Sequence, residues 1–563
     1  MSFSLMQRFL KGLSRLFQSG IKVGKPVTDV LTARVAASSE FLFQINHSAA
    51  LGRHAVATHA LAEKPPGTLL LRETSYIWIA TDPSRESVCH SCAHEFASTQ
   101  PAHIRRVSCE GCGGQTHYCS VKCRDEHAFL HQPICALLRD APTLAARHRC
   151  PVDLVRALLA LVAKRAADLQ PGADLPYREK FQSDPLAFEG GPEAFSQMLG
   201  SAGVIDSASR RSLRALAAVI CKRLPEAICP PPDIFITWAS QINSNSHGLH
   251  RSSHSNASFG LGLFPLSSIF NHSCLPNCTY TNEGPQLELR LLRAVREGEE
   301  LCVNYTELYA ARDERRAELQ ASKSFECRCR RCSLTPTNEL EARLINAEPL
   351  VSAVLCDQTK GCSGLLQPCD VLTDRLGDRA AEWACSACHG RCTYGYILDT
   401  HLAPLRACLQ QTMLLYANGL AAGAAARLRA DFESLLQAAL ARLHPSHSLV
   451  FHCYLPLINC CSVLKDYPAK AIYTRALVAI ASAALPDYPP LANYLEAFAQ
   501  SLQEWVQTTP TLSRETRKQC AQEAINALQQ SLNICQICYG PTHPKTAQTR
   551  DKLRRAEVPT KFR

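Results

Sequence analysis

The stretch that decides the fold is Asn271-His272-Ser273-Cys274-Leu275-Pro276-Asn277, which is followed by Gly298-Glu299-Glu300-Leu301-Cys302-Val303-Asn304-Tyr305. The second segment begins as a turn and continues as a short β-rich run that ends on a tyrosine. A third segment, Phe325-Glu326-Cys327-Arg328-Cys329-Arg330-Arg331-Cys332, comes soon after it. Its C-x-C-x-x-C spacing supplies three thiolates, and a closed tetrahedral zinc site requires a fourth ligand.

A second cysteine-rich cluster lies upstream. Two C-x-x-C pairs, a Y-C-S-V-K-C element and an H-x-x-x-C element provide eight candidate ligands: Cys89, Cys92, Cys109, Cys112, Cys119, Cys123, His131 and Cys135. Eight ligands suit two four-coordinate zinc sites. A disulfide knot is the alternative. We favour metal, because C-x-x-C pairs with a histidine at this spacing are typical of zinc sites and nothing marks the chain as secreted.

Together these motifs resemble the SMYD family of protein-lysine methyltransferases, in which a SET domain is split by a MYND zinc finger. The resemblance runs from about Gly52 to the C-terminus. It implies an α+β fold with a β-rich SET domain, interrupted by the MYND finger and a helical insert. A zinc-bound post-SET segment and a C-terminal α-helical, TPR-like domain follow. It also implies two kinds of cofactor, S-adenosyl-L-methionine and Zn²⁺.

The family pattern assigns the zinc ligands. The MYND ligands interleave, so one ion takes Cys89, Cys92, Cys119 and Cys123, and the other takes Cys109, Cys112, His131 and Cys135. The cysteine of N-H-S-C completes the post-SET site, which gives Cys274, Cys327, Cys329 and Cys332. Two further knuckles predict a fourth site at Cys356, Cys362, Cys385 and Cys388, with Cys369 and Cys392 close enough to leave the set open.

The resemblance also assigns the reaction site. Tyr305 is the expected catalytic hydroxyl, which orients a lysine amine in a narrow channel. The residues expected around S-adenosylmethionine are Gly52, Arg53, Asn245, Asn271, His272, Tyr305 and Phe325. Asn243 is the alternative to Asn245, because the matching segment is short. An isolated asparagine of this kind is more often a turn residue.

Two departures from the family pattern favour a second hypothesis. His54 stands where the family has a second glycine against the cofactor, and glycine matters where a ligand approaches the main chain closely. Lys323 stands where the family has a channel tyrosine, and its charge would repel a lysine ammonium unless it swings outward. The alternative to an enzyme is therefore a catalytically silent adaptor, which binds proline-rich peptides through MYND and other partners through the helical domain.

Pattern and resemblance together predict eight segments. A basic N-terminal extension occupies 1–45, the first part of SET 46–88, MYND 89–135 and the helical insert 136–240. The SET core occupies 241–310, the post-SET segment 311–335, a zinc-ribbon-like segment 336–399 and the helical domain 400–563. Apolar stripes at helical spacing, such as the one from Val152 to Val162, predict the helices of the insert.

Composition indicates the cellular compartment and the classes of partner. The chain has 563 residues, 29 cysteines and a net charge of +10, and so many thiols indicate a reducing intracellular compartment. The charge is spread along the chain and gives no argument for nucleic acid. No membrane span is expected, and we expect a monomer that acts on protein substrates with an accessible lysine. Residues 1–35 are basic and amphipathic, which is typical of a mitochondrial transit peptide, and this is the alternative. The expected location is cytoplasm or nucleus, because the family resemblance favours it.

Overall fold

The structure, a computed structural model, describes residues 30–96, 106–169, 186–200, 205–251, 255–370, 377–417, 419–485 and 488–558. Most of the predicted N-terminal extension lies outside these ranges. The chain divides into two compact units, which we describe one at a time. The first contains the described residues up to Asn271, together with Asn277–Val303 and Gln320–Phe325. The second contains His272–Pro276, Asn304–Leu319 and the described residues from Glu326 onward.

The first unit holds the strands of the predicted SET region and of the predicted MYND finger. β10 and β13 are two-residue strands of the SET motifs, and β10 crosses the boundary between the units. In chain order the strands are β1 Phe43–Ser48, β2 Gly52–Ala57, β3 Leu69–Thr74, β4 Ile77–Ala80, β5 Val107–Ser108, β6 His117–Tyr118, β7 Ala187–Glu189, β8 Ser246–Arg251, β9 Ser255–Leu263, β10 Asn271–His272, β11 Cys278–Glu283, β12 Gln286–Leu291 and β13 Cys302–Val303.

These strands form small sheets. β1 and β2 make an antiparallel hairpin, β5 and β6 pair in the finger, and β4-β9-β8 form a three-stranded sheet. The largest has the order β11-β12-β3-β7, in which β3 runs antiparallel to β12 and parallel to β7. In β3 the side chains of Leu70 and Leu71 are fully buried. Apolar side chains on both faces are typical of a strand covered on both sides.

The helices of the first unit come mainly from the predicted insert. They are α1 Val30–Ala36, α2 His59–Ala62, α3 Val121–His131, α4 Cys135–Arg147, α5 Val152–Asp168, α6 Pro192–Ser196, α7 Ser207–Cys221 and α8 Pro232–Asn245. The apolar stripes predicted as helices are α5 and α7, and their buried leucines belong to the main core of this unit. The stripes therefore serve packing.

The second unit contains a four-stranded ribbon and a series of helices. The ribbon pairs β14 Val354–Leu355, β15 Leu365–Pro368, β16 Glu382–Cys385 and β17 Arg391–Thr393 in that order. The helices are α9 Arg312–Lys323, whose last residues belong to the first unit, α10 Arg330–Ser333, α11 Glu339–Asn346, α12 Glu348–Ser352, α13 Tyr394–Ile397, α14 Ala403–Ala417, α15 Ala422–Leu440, α16 Ser448–Leu464, α17 Tyr467–Ala484, α18 Pro489–Thr508, α19 Arg514–Cys538 and α20 Pro544–Glu557.

From α14 to α20 each helix packs on the next one in the chain. Contacts between sequential neighbours are what a TPR-like array requires, since each repeat buries its apolar face against the following one. Helical structure begins slightly before the predicted position, because α13 continues into a turn of π-helix at Leu398–Leu402. Among the described helices, none combines the length and the apolar character needed to cross a membrane.

One cysteine pair was not expected. Cys221, the last residue of α7, forms a disulfide with Cys229, eight residues later. Their Cα atoms are 5.5 Å apart, which is within the range for disulfides. Nothing in the sequence distinguishes this pair from the other cysteines outside the metal motifs.

Candidate active site and zinc centres

Asn277 ties together the two motifs that decide the fold. Its side chain is almost fully buried, and its Nδ2 donates to the Glu300 carbonyl oxygen over 2.8 Å. Its Oδ1 accepts from the Cys302 backbone N–H, also over 2.8 Å. The second motif is in turn bonded to β2, since the Leu301 N–H donates to the Ala55 carbonyl oxygen. An amide at this position satisfies one backbone donor and one backbone acceptor that would otherwise be buried without partners.

Asn271 connects the same motif to the turn between β1 and β2. Its Nδ2 donates to the Leu51 carbonyl oxygen over 3.2 Å and to Oε1 of Glu300 over 2.9 Å. Gly52, the residue after Leu51, has a φ of +66°, a conformation that favours glycine. A Cβ placed on Gly52 would meet no atom within 4 Å. This stretch of main chain is therefore open to a ligand, as contact with the methionine end of S-adenosylmethionine requires.

Arg53 and Asn245 both hold the segment after α6. Nη2 of Arg53 donates to the Gln197 carbonyl oxygen over 2.8 Å. Nδ2 of Asn245, at the end of α8, donates to the Leu199 carbonyl oxygen over 2.7 Å. The structure thus brings these two predicted cofactor residues to one segment. Asn245 ends a helix, so the alternative interpretation as a turn residue does not describe it.

His54 and Lys323, the two departures from the family pattern, are both engaged by the protein. The buried His54 ring places Nδ1 3.0 Å from the Gly52 carbonyl oxygen. The Lys323 ammonium donates to the Ser244 carbonyl oxygen over 2.6 Å, in the last turn of α8. The C-terminal end of a helix carries partial negative charge and attracts a cation. Lys323 is followed by Ser324, with a φ of +61°, and then by the half-buried Phe325.

His247 lies near Lys323 in the same unit. Burial, and to a smaller extent the nearby Lys323 charge, together lower its pKa to about 4. Its Nδ1 lies 3.0 Å from the Asn245 carbonyl oxygen, and its ring packs edge-on against Phe264 and Tyr280. His247 is therefore a neutral ring that helps to fix the end of α8.

Tyr305 belongs to the second unit, where it contacts His272. The Tyr305 backbone N–H donates to Nδ1 of His272 over 2.9 Å, and the two rings are 5.5 Å apart. The other ring nitrogen, Nε2 of His272, lies 3.2 Å from Sγ of Cys274. The residue predicted to act in catalysis and a predicted zinc ligand are thus joined through one histidine.

The structure brings together all four predicted metal clusters, each within a single unit. In each cluster the ligand atoms lie within 4.8 Å of one another. A zinc–sulfur bond of about 2.3 Å places the sulfurs of a regular tetrahedron roughly 3.8 Å apart. The sulfurs are 3.6 Å apart in Cys92–Cys119, 3.7 Å in Cys109–Cys135, 3.6 Å in Cys274–Cys332 and 3.6 Å in Cys356–Cys388. In the fourth cluster the four sulfur atoms that lie together are those of Cys356, Cys362, Cys385 and Cys388, and Cys369 and Cys392 are not among them.

Thiols packed this closely share their protons unequally. Hydrogen bonding from Cys327 holds the pKa of Cys274 well below its ordinary value, and the same bond raises the pKa of Cys327. In the finger, hydrogen bonding from Cys92 lowers the pKa of Cys89 to about 4. A zinc ion removes this competition, because it binds every thiol as a thiolate and releases the protons.

A buried charge cluster that the sequence did not reveal surrounds Cys274. Arg315 and Arg331 are almost completely buried, and both bind the Glu348 carboxylate. Nε of Arg315 donates to Sγ of Cys274 over 3.2 Å, and Nη1 of Arg331 donates to the Cys274 carbonyl oxygen over 3.2 Å. A zinc ion held by four thiolates would carry two net negative charges, and the two guanidinium groups with the shared Glu348 carboxylate would offset one of them. From sequence alone, the basic runs that contain these arginines look like solvated surface.

Comparison with known proteins finds similar sequences among SET-domain methyltransferases. The SET domain family model matches residues 52–306. Mouse histone-lysine N-methyltransferase SMYD3 is 29% identical over 295 residues, which cover 51% of this chain and 61% of that protein. Chicken N-lysine methyltransferase SMYD2 is 25% identical, and the match covers 56% of this chain and 70% of that protein. Arabidopsis thaliana histone-lysine N-methyltransferase ASHR2 is 26% identical, and the match covers 53% of this chain and 73% of that protein.

The first relatives are matched over less than two thirds of their length, 61% for mouse SMYD3 and 60% for its human counterpart. The residues that the SET model matches contain the two bonded SET motifs and the two cysteine clusters between Cys89 and Cys135, whereas Cys327, Cys329 and Cys332 follow the matched residues. Over this part of its length the chain is similar to SET-domain proteins of the SMYD family.

Proposed function

We propose that this protein is an S-adenosylmethionine-dependent protein-lysine N-methyltransferase. The observation that carries the proposal is the bonding of the two SET motifs by the Asn277 amide. A core asparagine of the first segment that satisfies one backbone acceptor and one backbone donor of the second segment fixes the register between the two, and positioning is the main requirement of methyl transfer. The names of the relatives indicate the same reaction.

Each predicted residue has a role in this proposal. In this proposal the main chain at Gly52 and Arg53 lies against the methionine end of the cofactor, Asn245 lies near the cofactor, and Asn271 hydrogen-bonds to it. Phe325 stacks on its adenine. His272 contacts the cofactor chiefly through its main chain, and Tyr305 orients the lysine amine. Bound S-adenosylmethionine supplies the methyl group that the amine accepts.

The test uses purified full chain, titration calorimetry with S-adenosylmethionine and methylation of a protein lysate. Tyr305→Phe should leave cofactor affinity nearly unchanged and slow methyl transfer by roughly 10²-fold or more, the scale on which misplacing reacting groups acts. Tyr309→Phe is the matched control, because Tyr309 is a buried tyrosine whose hydroxyl donates within the second unit to the Ser446 carbonyl oxygen. Full activity in Tyr305→Phe would contradict the catalytic role.

The second candidate function is a catalytically silent adaptor. The observation that favours it is the buried His54 ring at a position where the family has glycine. As an adaptor the protein would bind proline-rich peptides through the MYND finger and other peptides through the helical domain. Calorimetry separates the candidates: wild-type protein that binds no S-adenosylmethionine but binds a proline-rich peptide is an adaptor.

The remaining proposals concern partners, domains and location. We propose protein substrates with an accessible lysine, a monomeric state, and the eight predicted domain boundaries. We also propose that the protein works in the cytoplasm or nucleus. Residues 1–35 fused to a fluorescent reporter should then give diffuse signal in these compartments, and exclusively mitochondrial signal would establish the transit-peptide alternative instead.

A further inference from the structure

The hydrogen bonds around His272 have a defined direction. The Tyr305 backbone N–H can only donate, so Nδ1 of His272 accepts this bond. A neutral imidazole that accepts at Nδ1 carries its proton on Nε2. The Nε2–H therefore donates to Sγ of Cys274, 3.2 Å away. The result is one continuous chain of contacts from Cys274 through His272 to the main chain of Tyr305.

Cys274 is held from a second direction as well. Arg315 donates from Nε to Sγ of Cys274 and lies 3.7 Å from Sγ of Cys332 through Nη2. The Glu348 carboxylate fixes this guanidinium, since its Oε1 accepts from Nη2 of Arg315 over 2.8 Å. Two N–H donors thus converge on one sulfur. Outer-shell hydrogen bonds of this kind orient a metal ligand and tune its affinity.

We propose that the zinc ion bound by Cys274, Cys327, Cys329 and Cys332 positions Tyr305, with His272 as the positioning residue between them. The inference deepens the proposed methyltransferase function and rests on it for its catalytic meaning. The motif spacing makes the coupling direct. His272 is two residues from Cys274, so a displacement of the cysteine moves the ring that holds the Tyr305 amide. The post-SET zinc site thereby contributes to the geometry of the reaction as well as to folding.

The test measures amide hydrogen exchange at Tyr305 in the full zinc-loaded chain, with zinc content determined in parallel. His272→Gln should speed exchange of the Tyr305 amide about 10-fold or more, because the amide loses its ring acceptor. Cys274→Ser should lose zinc from this site and speed the same amide by a similar factor. Arg315→Lys should release zinc to a chelator about 10–100-fold faster, as expected for an outer-shell partner.

The matched control is His447→Gln. His447 is a buried histidine of the second unit whose Nδ1 accepts from the Leu449 N–H over 3.0 Å, and it belongs to none of the metal clusters. This variant should speed exchange at Leu449 and leave both Tyr305 and the zinc content unchanged.

The exchange and zinc measurements test this proposal independently of methyl transfer. If Cys274→Ser loses zinc while the Tyr305 amide stays as protected as in wild type, the zinc does not position Tyr305. Unchanged exchange in His272→Gln overturns the proposal even if Cys274→Ser does not fold. If wild-type protein transfers no methyl group, the proposed function fails, while the exchange data still decide whether the zinc controls the Tyr305 main chain.

Discussion

Replacing Asn277 tests the bond that joins the two SET motifs. Asn277→Ala removes the acceptor of the Cys302 N–H and the donor to the Glu300 carbonyl oxygen, both at 2.8 Å. A buried polar group left without a partner costs about 1–3 kcal/mol, so two such groups should weaken the local structure by about 2–6 kcal/mol. About 1.4 kcal/mol corresponds to a tenfold change in an equilibrium. The Cys302 amide should therefore exchange about 30-fold faster or more.

Asn277→Asp sharpens the test because it keeps the acceptor and loses only the donor. The new carboxylate would face the Glu300 carbonyl oxygen and the Glu299 carboxylate, whose Oε1 is 3.3 Å from Nδ2 in the wild type. Repulsion between oxygen atoms should loosen Glu299 and Glu300 while the Cys302 amide stays partly protected. Both variants should lose methyl transfer, since the register of the second motif is no longer fixed.

Asn282→Ala provides the matched control. Asn282 makes the same pair of bonds elsewhere in the first unit: its Oδ1 accepts from the His250 N–H over 2.7 Å and its Nδ2 donates to the Gly248 carbonyl oxygen over 2.7 Å. Its loss should cost comparable stability without changing exchange at Cys302. Hydrogen exchange with mass spectrometry measures all three variants. If the Cys302 amide in Asn277→Ala is as protected as in wild type, the reasoning is refuted.

Three further predictions follow from the same structure. Metal analysis should find about four zinc ions per chain, because the described residues contain four closed ligand sets, and two or fewer would refute at least two of these four sites. Lys323→Tyr should raise methyl transfer, since it removes a cation from the proposed path of a lysine substrate. Lys323→Met removes the charge and the bond to Ser244 without adding an aromatic ring, so it separates the effect of the charge from that of the ring. Equal activity in wild type, Lys323→Tyr and Lys323→Met would show that Lys323 lies away from that path. Burial raises the pKa of Glu73 to about 7, against the hydrogen bonds from Ser267 and the Leu266 N–H that lower it. A raised carboxyl pKa stabilises the fold below pH 4.5 and loses that contribution as pH rises through about 7. The free energy of unfolding by urea should therefore fall by about 3 kcal/mol more between pH 4.5 and 8 in wild type than in Glu73→Gln, and equal slopes would mean that the hydrogen bonds cancel the effect of burial on this pKa.

The sequence by itself determined the features that depend on local pattern. Cysteine spacing predicted the ligand sets, because zinc coordination fixes how many residues separate paired thiolates. Apolar periodicity predicted α5 and α7, because a buried helix face repeats every 3.6 residues. Motif resemblance predicted the fold class and the family. In the fourth cluster, spacing left Cys369 and Cys392 open, and only the fold of the ribbon brought Cys356, Cys362, Cys385 and Cys388 together.

The tertiary structure decided what depends on contacts between distant segments. The sequence predicted that Lys323 would obstruct the channel unless it swung outward, and its bond to Ser244 depends on where α8 ends. The burial of Arg315 against Cys274 could not be predicted, because a basic run on a helix has the same pattern whether water or a thiolate faces it. The contact of His272 with both Tyr305 and Cys274 likewise needs the chain to fold back on itself. Spacing along the chain specifies which residues can bind a metal together, and only packing specifies which other side chains hold those ligands in place.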